Sequence, residues 1–165
     1  MNGTIERSVN GEPVYPIRIL TVGKTRSDGC RALEQHYLGL LRAYARMDVT
    51  EITEGRGEPG RALREEAERF RTQLTGMRCA VLLDAEGPAR SSESFAAWLG
   101  ARMDRGESLA FVLGSSHGLD PGLKGEVKER LSLSPMTFPH DLARVMLLEQ
   151  LYRAFTILRG KTYHK

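Results

Sequence analysis

Hydrophobic and polar positions alternate along this chain in a pattern that predicts ten elements of secondary structure. Five β-branched or apolar runs are typical of strands, at residues 17–22, 49–53, 79–84, 109–113 and 131–133. Amphipathic segments predict helices at residues 29–46, 61–74, 123–129 and 141–158, and a further helix capped by Ser91 or Ser92. Because a helix follows each strand, the strands must be joined by parallel crossovers. The pattern therefore predicts an α/β fold, a three-layer sandwich with a mainly parallel sheet.

The last predicted helix is apolar on nearly every side. Large hydrophobic side chains fill one stripe and most of the remaining surface: Leu142, Val145, Met146, Leu147, Leu148, Leu151, Tyr152, Phe155 and Leu158. A surface helix normally shows one apolar stripe and a polar back. We therefore expect this helix to be covered on two faces, by its own sheet and by a second copy of the chain in a homodimer.

Length and composition fit one domain with a buried core. Residues 1–15 lack periodicity, so we expect a disordered leader followed by a single domain over residues 16–165. No apolar run approaches the roughly 20 residues of a membrane span, and the polar N-terminus lacks the apolar centre of a secretion signal. The cytoplasm is the expected location, with no membrane partner.

Charge adds little by itself, because a net charge of +3 is too small to indicate a nucleic-acid surface. Its placement is more informative, since basic residues gather in the last helix and tail: Arg144, Arg153, Arg159, Lys161 and Lys165. Such a group either complements the end of a helix dipole or holds phosphates. Two cysteines cannot build a zinc framework, so no metal is expected.

Three loops that each follow an apolar strand are the candidate ligand site, at residues 84–88, 114–118 and 134–140. Ligands of open α/β sheets bind beyond the carboxyl ends of the strands. The loops offer backbone amides, glycines, prolines and large apolar side chains, which suit a flat group such as adenine. No activated nucleophile is recognisable, so a carried cofactor is expected to supply the chemistry. A phosphate-binding loop at Gly23-Lys24-Thr25 is excluded, because Arg18 stands where that motif needs glycine.

The C-terminal third resembles a known family. The segment from Leu131 to His140 reads Leu-Ser-Leu-Ser-Pro-Met-Thr-Phe-Pro-His, and Leu-Ala-Arg-Val follows at 142–145. Glu-Gln-Leu-Tyr-Arg-Ala-Phe at 149–155 and the ending Tyr-His-Lys at 163–165 complete the motif. These segments are similar to the ribosomal RNA large subunit methyltransferase H family of the SPOUT methyltransferases. The likeness extends from about Pro16 to Lys165.

This resemblance implies an S-adenosylmethionine-dependent rRNA methyltransferase that methylates N3 of a pseudouridine in 23S rRNA, within the assembled ribosome. It also implies a homodimer and a SPOUT-type C-terminal trefoil knot. The cofactor is expected against Leu83, Gly114, Ser115, Gly118, Leu133, Ser134, Pro135, Met136, Thr137 and Phe138. The family usually has a glycine pair where this chain has Gly114-Ser115.

The resemblance also implies roles near the RNA. The tail is expected to reach the RNA site of the other subunit, and Arg144, Arg153, Tyr163, His164 and Lys165 form the expected substrate-binding set. A base for the N3 proton could be His164, Glu149 or His140, and Tyr163 is grouped with the catalytic candidates. For Glu149 a structural hydrogen bond is the alternative. Two other functions stay open, a SPOUT enzyme with another RNA target and a non-enzymatic flavodoxin-like nucleotide-binding module.

Overall fold

The computed structural model describes residues 15–164, with side chains as far as Tyr163. Of the expected leader, residues 1–14 lie outside this range, as does Lys165. Tyr15 was expected in the leader but is the first residue of a strand, where it pairs with Ala45. No helix of the described range is both long and apolar enough to cross a membrane.

Strands and helices alternate through the described range. The strands are β1 Tyr15–Val22, β2 Ala45–Ile52, β3 Cys79–Leu83, β4 Leu109–Leu113 and β5 Glu129–Leu131. The helices are α1 Asp28–Leu41, α2 Pro59–Leu74, α3 Ser92–Asp104, α4 Pro121–Glu126 and α5 His140–Leu158, followed by a 3-10 turn at Thr162–His164.

All strand pairs of the sheet are parallel, in the order β2-β1-β4-β3-β5. Helices α1, α3 and α5 pack on one face, and residues from α2 and α4 build a second core on the other. The centre of the sheet is fully buried on both sides, as at Ile19, Leu20, Phe111 and Val112. The predicted three-layer α/β sandwich is confirmed, and the trefoil knot stays a prediction.

Several predicted boundaries are wrong, and around α1, β2 and β5 strand pairing decides them. Helix α1 ends at Leu41 rather than at residue 46, because the chain from Ala45 onward pairs with β1 along its whole length. Strand β5 lies two residues earlier than predicted, since Glu129–Leu131 pairs with Val81–Leu83. Beyond it, the Ser132 N–H donates to the Pro88 carbonyl (3.1 Å) and the chain leaves the sheet. Leu133 is therefore free to line a loop instead of a strand.

Helix α5 buries one broad face but leaves apolar side chains outside. Leu147, Leu148, Leu151 and Ala154 are fully buried, whereas Leu142 and Leu158 are 38% and 41% exposed. Helix α1 contributes Leu33, 46% exposed, which the periodicity had placed on the buried stripe. Glu34 takes the buried position instead. Within one chain, the second apolar surface expected of the last helix is thus only partly covered.

Asp141 fixes the start of α5 against the loop between β1 and α1. Its Oδ2 accepts the N–H groups of Arg26 and Ser27, both at 2.9 Å, and its Oδ1 lies 3.0 Å from His140 Nε2. Burial alone would raise the pKa of Asp141, but the two amide donors, with His140 and Arg144 nearby, hold it below its usual value. The ionised carboxylate therefore stabilises this junction.

We expect Asp141→Ala to lower the free energy of unfolding by about 1–3 kcal/mol, because charge-assisted hydrogen bonds across the junction are lost. The folded pKa lies below the unfolded value of about 3.9, so the contribution is complete above that value and is lost as pH falls through the lower, folded pKa. Urea unfolding of both proteins at several pH values measures this. The matched control is Asp28→Ala, whose side chain is 94% exposed and whose removal is expected to cost less than about 1 kcal/mol. Equal losses for the two variants would contradict a specific role for Asp141.

Candidate cofactor site and C-terminal cluster

A cavity of about 710 Å³ opens where β3, β4 and β5 end. All three predicted loops contribute to it, together with α4 and the first turn of α5. Its described lining is Leu83, Asp84, Ala85, Leu113, Gly114, Ser115, Ser116, Gly118, Leu119, Lys124, Leu131, Leu133, Ser134, Met136, Thr137, Phe138, Pro139, His140 and Ala143. Of the ten residues expected to hold a cofactor, nine line this cavity, and Pro135 does not.

The loop after β4 needs glycine at two positions. The Gly118 N–H donates to the Ser115 carbonyl (2.9 Å), and Gly118 has a φ of +86°, which a side chain would strain. A Cβ at Gly114 would overlap the carbonyl oxygen of Gly118. The absence of a side chain at Gly114 therefore lets the loop close and keeps its backbone at the cavity wall.

Ser115 stands where the resemblance implies a second glycine, and its hydroxyl Oγ is buried without a hydrogen-bond partner in the protein. A buried polar atom left unpaired costs about 1–3 kcal/mol. Because Ser115 lines the cavity, a polar group of a bound ligand can relieve that cost. This residue therefore fits a ligand with hydrogen-bonding edges.

The proline loop forms the outer wall. The Ser134 hydroxyl accepts the Met136 N–H (3.1 Å), which fixes a tight turn at the tip of the loop. Met136 is 71% exposed there, while Thr137, Phe138 and Pro139 line the cavity. Pro139 then precedes α5 directly. The loop thus presents apolar groups from a backbone that two prolines restrict.

One charged pair in the cavity was not predicted from the sequence. Lys124 Nζ lies 3.0 Å from Asp84 Oδ2, and Arg130 Nη1 lies 3.7 Å from the same oxygen. Burial would raise the pKa of Asp84, but the Lys124 ammonium, the Glu86 amide and Arg130 lower it overall. Asp84 stood out as the acid that closes an apolar run. The sequence did not indicate that Lys124 lies in the cavity, because a lysine in a short helix is normally solvated.

The cavity fits S-adenosylmethionine. Its apolar walls, from Leu83, Leu113, Leu133 and Phe138, suit the adenine ring, and the unpaired Ser115 hydroxyl suits a polar edge. Bound here, the cofactor supplies an electrophilic methyl group on a sulfonium. The protein's part is to hold it, exclude water and orient it. Among the described residues, no group of three His, Cys, Asp or Glu side chains is arranged as metal ligands.

Arg144 does not fit the predicted phosphate-binding role, because it is only 1% exposed. Its Nη1 donates to Glu34 Oε1 and Glu51 Oε1, both at 3.2 Å. Its Nη2 donates to Thr21 Oγ1 (2.8 Å) and the Gly23 carbonyl (2.9 Å). A guanidinium held in this way connects α5 to β1, β2 and α1 and does not reach an external phosphate.

Three other predicted residues meet on the far half of α5. Glu149 accepts from Arg153 (2.6 and 2.9 Å), from Gln150 (2.6 Å) and from the Tyr163 hydroxyl (3.3 Å). Tyr163 also packs edge-on against Tyr152, with ring centroids 4.7 Å apart, and Arg153 lies over its ring. We call Glu149, Arg153 and Tyr163 the tail cluster. The His164 side chain and Lys165, predicted beside it, lie outside the described residues.

The side chains of the tail cluster contact one another, and the cluster is separate from the cavity. Burial, with Tyr37 and Glu149 nearby, raises the pKa of Tyr163, so its hydroxyl stays protonated and donates. None of the three lines the cavity of the same chain. Ala143 does, and Arg153 is ten residues further along the helix, about 15 Å at 1.5 Å per residue. Within one chain, the predicted cofactor and tail residues therefore form two groups.

Comparison with known proteins assigns this arrangement to a family. Residues 15–164 match the family described as "Predicted SPOUT methyltransferase". A protein of Gemmatimonas aurantiaca named ribosomal RNA large subunit methyltransferase H is 39% identical over 155 residues, covering 90% of this chain and 99% of that protein. A protein of the same name from Anaeromyxobacter dehalogenans is 40% identical over 152 residues, with the same coverage of both chains.

Solved structures share the fold at much lower identity. A probable methylase family protein of Haemophilus influenzae superposes with a TM-score of 0.59 at 12% identity, covering 90% of this chain and 70% of that one. A probable methyltransferase of Bordetella pertussis gives 0.57 at 12% identity, covering 85% and 94%. At this identity the likeness supports the fold alone.

We expect Gly114→Ala to lower affinity for S-adenosylhomocysteine by at least about tenfold, because the new Cβ must push the loop out of place. Isothermal titration measures the affinity, and a thermal melt shows whether the variant is folded. The matched control is Gly125→Ala, where a Cβ meets nothing within 4 Å and affinity should not change. Unchanged affinity in the folded Gly114→Ala protein would place the cofactor elsewhere.

Proposed function

Since the chain belongs to the SPOUT methyltransferase family, we propose that it methylates N3 of a pseudouridine in 23S rRNA within the assembled ribosome. It is an S-adenosylmethionine-dependent rRNA methyltransferase of that family, and its relatives are named ribosomal RNA large subunit methyltransferase H. The observation that supports the proposal best is the near-complete match to those relatives, covering 99% of the Gemmatimonas protein. The exact nucleotide and the assembled substrate are the proposed part.

The proposed methyl transfer requires no covalent intermediate between the protein and its substrate. The N3–methyl bond forms as the methyl–sulfur bond breaks, the electron pair stays on sulfur, and the N3 proton must leave. Such an in-line displacement depends on holding the reacting atoms in line and close together. The cavity loops hold the donor side, so the remaining need is a surface that holds the RNA and a group that takes the proton.

A homodimer supplies that surface in the proposal. Leu33, Leu142 and Leu158 remain 38–46% exposed on α1 and α5, and burying them against a second copy is favourable. Within one chain the cavity and the tail cluster are too far apart along α5 to act together. In a dimer, the tail cluster of one chain can face the cavity of the other. Arg153, Tyr163, His164 and Lys165 would meet the RNA there, whereas Arg144 is excluded by its burial.

For the proton acceptor, the contacts favour an imidazole. Glu149 is already engaged by Arg153, Gln150 and Tyr163, so it acts as the acceptor that holds the tail. His140 lines the cavity with its Nε2 3.0 Å from Asp141 Oδ1, which leaves Nδ1 as the other ring nitrogen. His164 on the tail of the partner is the second candidate. Full activity without the tail would leave His140 as the candidate.

Deleting residues 163–165 is expected to leave S-adenosylhomocysteine affinity within about twofold while methylation of ribosomes falls by at least about 100-fold. The physical reason is that the cavity is complete without the tail, whereas the RNA side is not. Titration calorimetry and methyl incorporation into ribosomes measure the two effects. Full activity of the truncated protein would exclude the tail from the mechanism.

Co-expression of the tail-deleted chain with the Gly114→Ala chain tests whether each site combines the cavity of one subunit with the tail of the other. Each variant alone lacks one half of every site, but a mixed dimer contains one intact cavity facing one intact tail. Partial recovery of methylation in purified mixed dimers is therefore expected. No recovery would contradict a site shared between subunits.

The substrate should be the assembled ribosome rather than free RNA. The described residues 15–164 form one alternating series of strands and helices, and in the proposal the assembled substrate supplies much of the positioning of the RNA. We expect initial rates on protein-free 23S rRNA at least about tenfold below those on whole ribosomes at equal concentration. Equal rates on both substrates would contradict this part of the proposal, and methylation of another RNA would point to the alternative SPOUT function.

A further inference from the structure

Lys124 brings a positive charge to a cavity that is otherwise mostly apolar or lined by hydroxyl groups. Its ammonium lies 3.0 Å from Asp84 Oδ2, and its side chain is 27% exposed. No other lysine or arginine is among the described residues that line the cavity. The cation is therefore placed where a ligand in the cavity can meet it.

Asp84 holds Lys124 rather than meeting the ligand itself. The Asp84 side chain is only 6% exposed, and its buried Oδ2 meets the Lys124 ammonium as an ion pair outside hydrogen-bond geometry. Its Oδ1 accepts the Glu86 N–H at 3.2 Å. Asp84 lines the cavity, but both of its oxygens already have contacts within the protein, which makes Asp84 a positioning residue for the ammonium.

The charges around this pair do not cancel inside the protein. The single buried carboxylate of Asp84 faces two cations, Lys124 at 3.0 Å and Arg130 at 3.7 Å. Glu86 lies 3.9 Å from Lys124, but its side chain is 83% exposed and does not line the cavity. Solvent screens an exposed charge much more than a buried one. Arg130 is itself 40% exposed and is screened in turn, so these charges leave a small positive excess beside Lys124.

A methyl donor of this family has two unlike ends. The adenosine end is flat and suits the apolar walls, whereas the amino acid end carries a carboxylate that needs a cationic partner when it leaves water. We infer that Lys124, positioned by Asp84, binds the carboxylate of the cofactor's amino acid end. This assignment concerns the cofactor alone and does not depend on which RNA nucleotide is methylated.

Two ligands that differ only at that end provide the test. S-adenosylhomocysteine carries the amino acid group, and 5′-methylthioadenosine keeps the adenosine and the sulfur but lacks it. In Lys124→Met, affinity for S-adenosylhomocysteine is expected to fall about 10- to 100-fold, the size of a lost charge-assisted hydrogen bond. Affinity for 5′-methylthioadenosine is expected to stay within about threefold, because the adenosine contacts remain. Isothermal titration measures both affinities without an activity assay.

Further variants distinguish a lost ligand contact from an effect of leaving Asp84 without its cation. Lys124→Met leaves the buried Asp84 carboxylate with less compensation, so Asp84→Asn/Lys124→Met removes both charges and should show the same selective loss in a folded protein. Lys124→Arg keeps the charge and should recover part of the affinity. The matched control is Lys128→Met, an exposed lysine that does not line the cavity, and neither affinity should change.

The outcomes separate the inference from the assignment of the cofactor. Equal losses for the two ligands would mean that Lys124 only shapes the cavity, and no loss for either would mean that it makes no contact. Both results would overturn the inference. Failure of the unsubstituted protein to bind S-adenosylhomocysteine would instead overturn the cofactor assignment and the inference together.

Discussion

The buried guanidinium of Arg144 is the constraint from which the positions of the other site elements follow. It joins α5 to β1 through Thr21 and Gly23, to α1 through Glu34 and to β2 through Glu51. A buried charge is tolerated only where partners surround it, and removing one partner leaves the remaining charges without full compensation. These bonds hold the first turns of α5 in the orientation that puts His140 and Ala143 into the cavity wall.

With α5 held in this way, the candidate functional residues of one chain lie in two separate groups. The cavity lies at the start of the helix, and the tail cluster lies about 15 Å away along the same helix. A rigid helix cannot bring its two ends together. A site that needs both ends must therefore combine two chains, so the separation and the exposed apolar residues of α1 and α5 lead to the same dimer hypothesis.

Much of this arrangement could be predicted from the sequence, because it depends on local patterns. Strand runs end at loops of glycine or proline, and parallel topology brings those loops to one edge, so nine of the ten residues proposed to hold the cofactor line one cavity. Arg144 and Lys124 could not be predicted by the same reasoning, since cations are usually solvated and only tertiary packing buries them. The start of β2 was missed because pairing with β1 overrides local helical preference at Ala45.

Ser115 shows how the cavity can combine close packing with polar recognition. At Gly114 any side chain would collide with Gly118, so the loop allows no variation there. One residue later a hydroxyl is accommodated, but it is buried without a partner in the protein. An unpaired buried group costs stability in the free protein and returns it when a ligand supplies the missing hydrogen bond. A ligand that hydrogen-bonds to Ser115 would therefore gain part of its affinity from the relief of that cost, on the same wall of the cavity where glycine permits the closest approach.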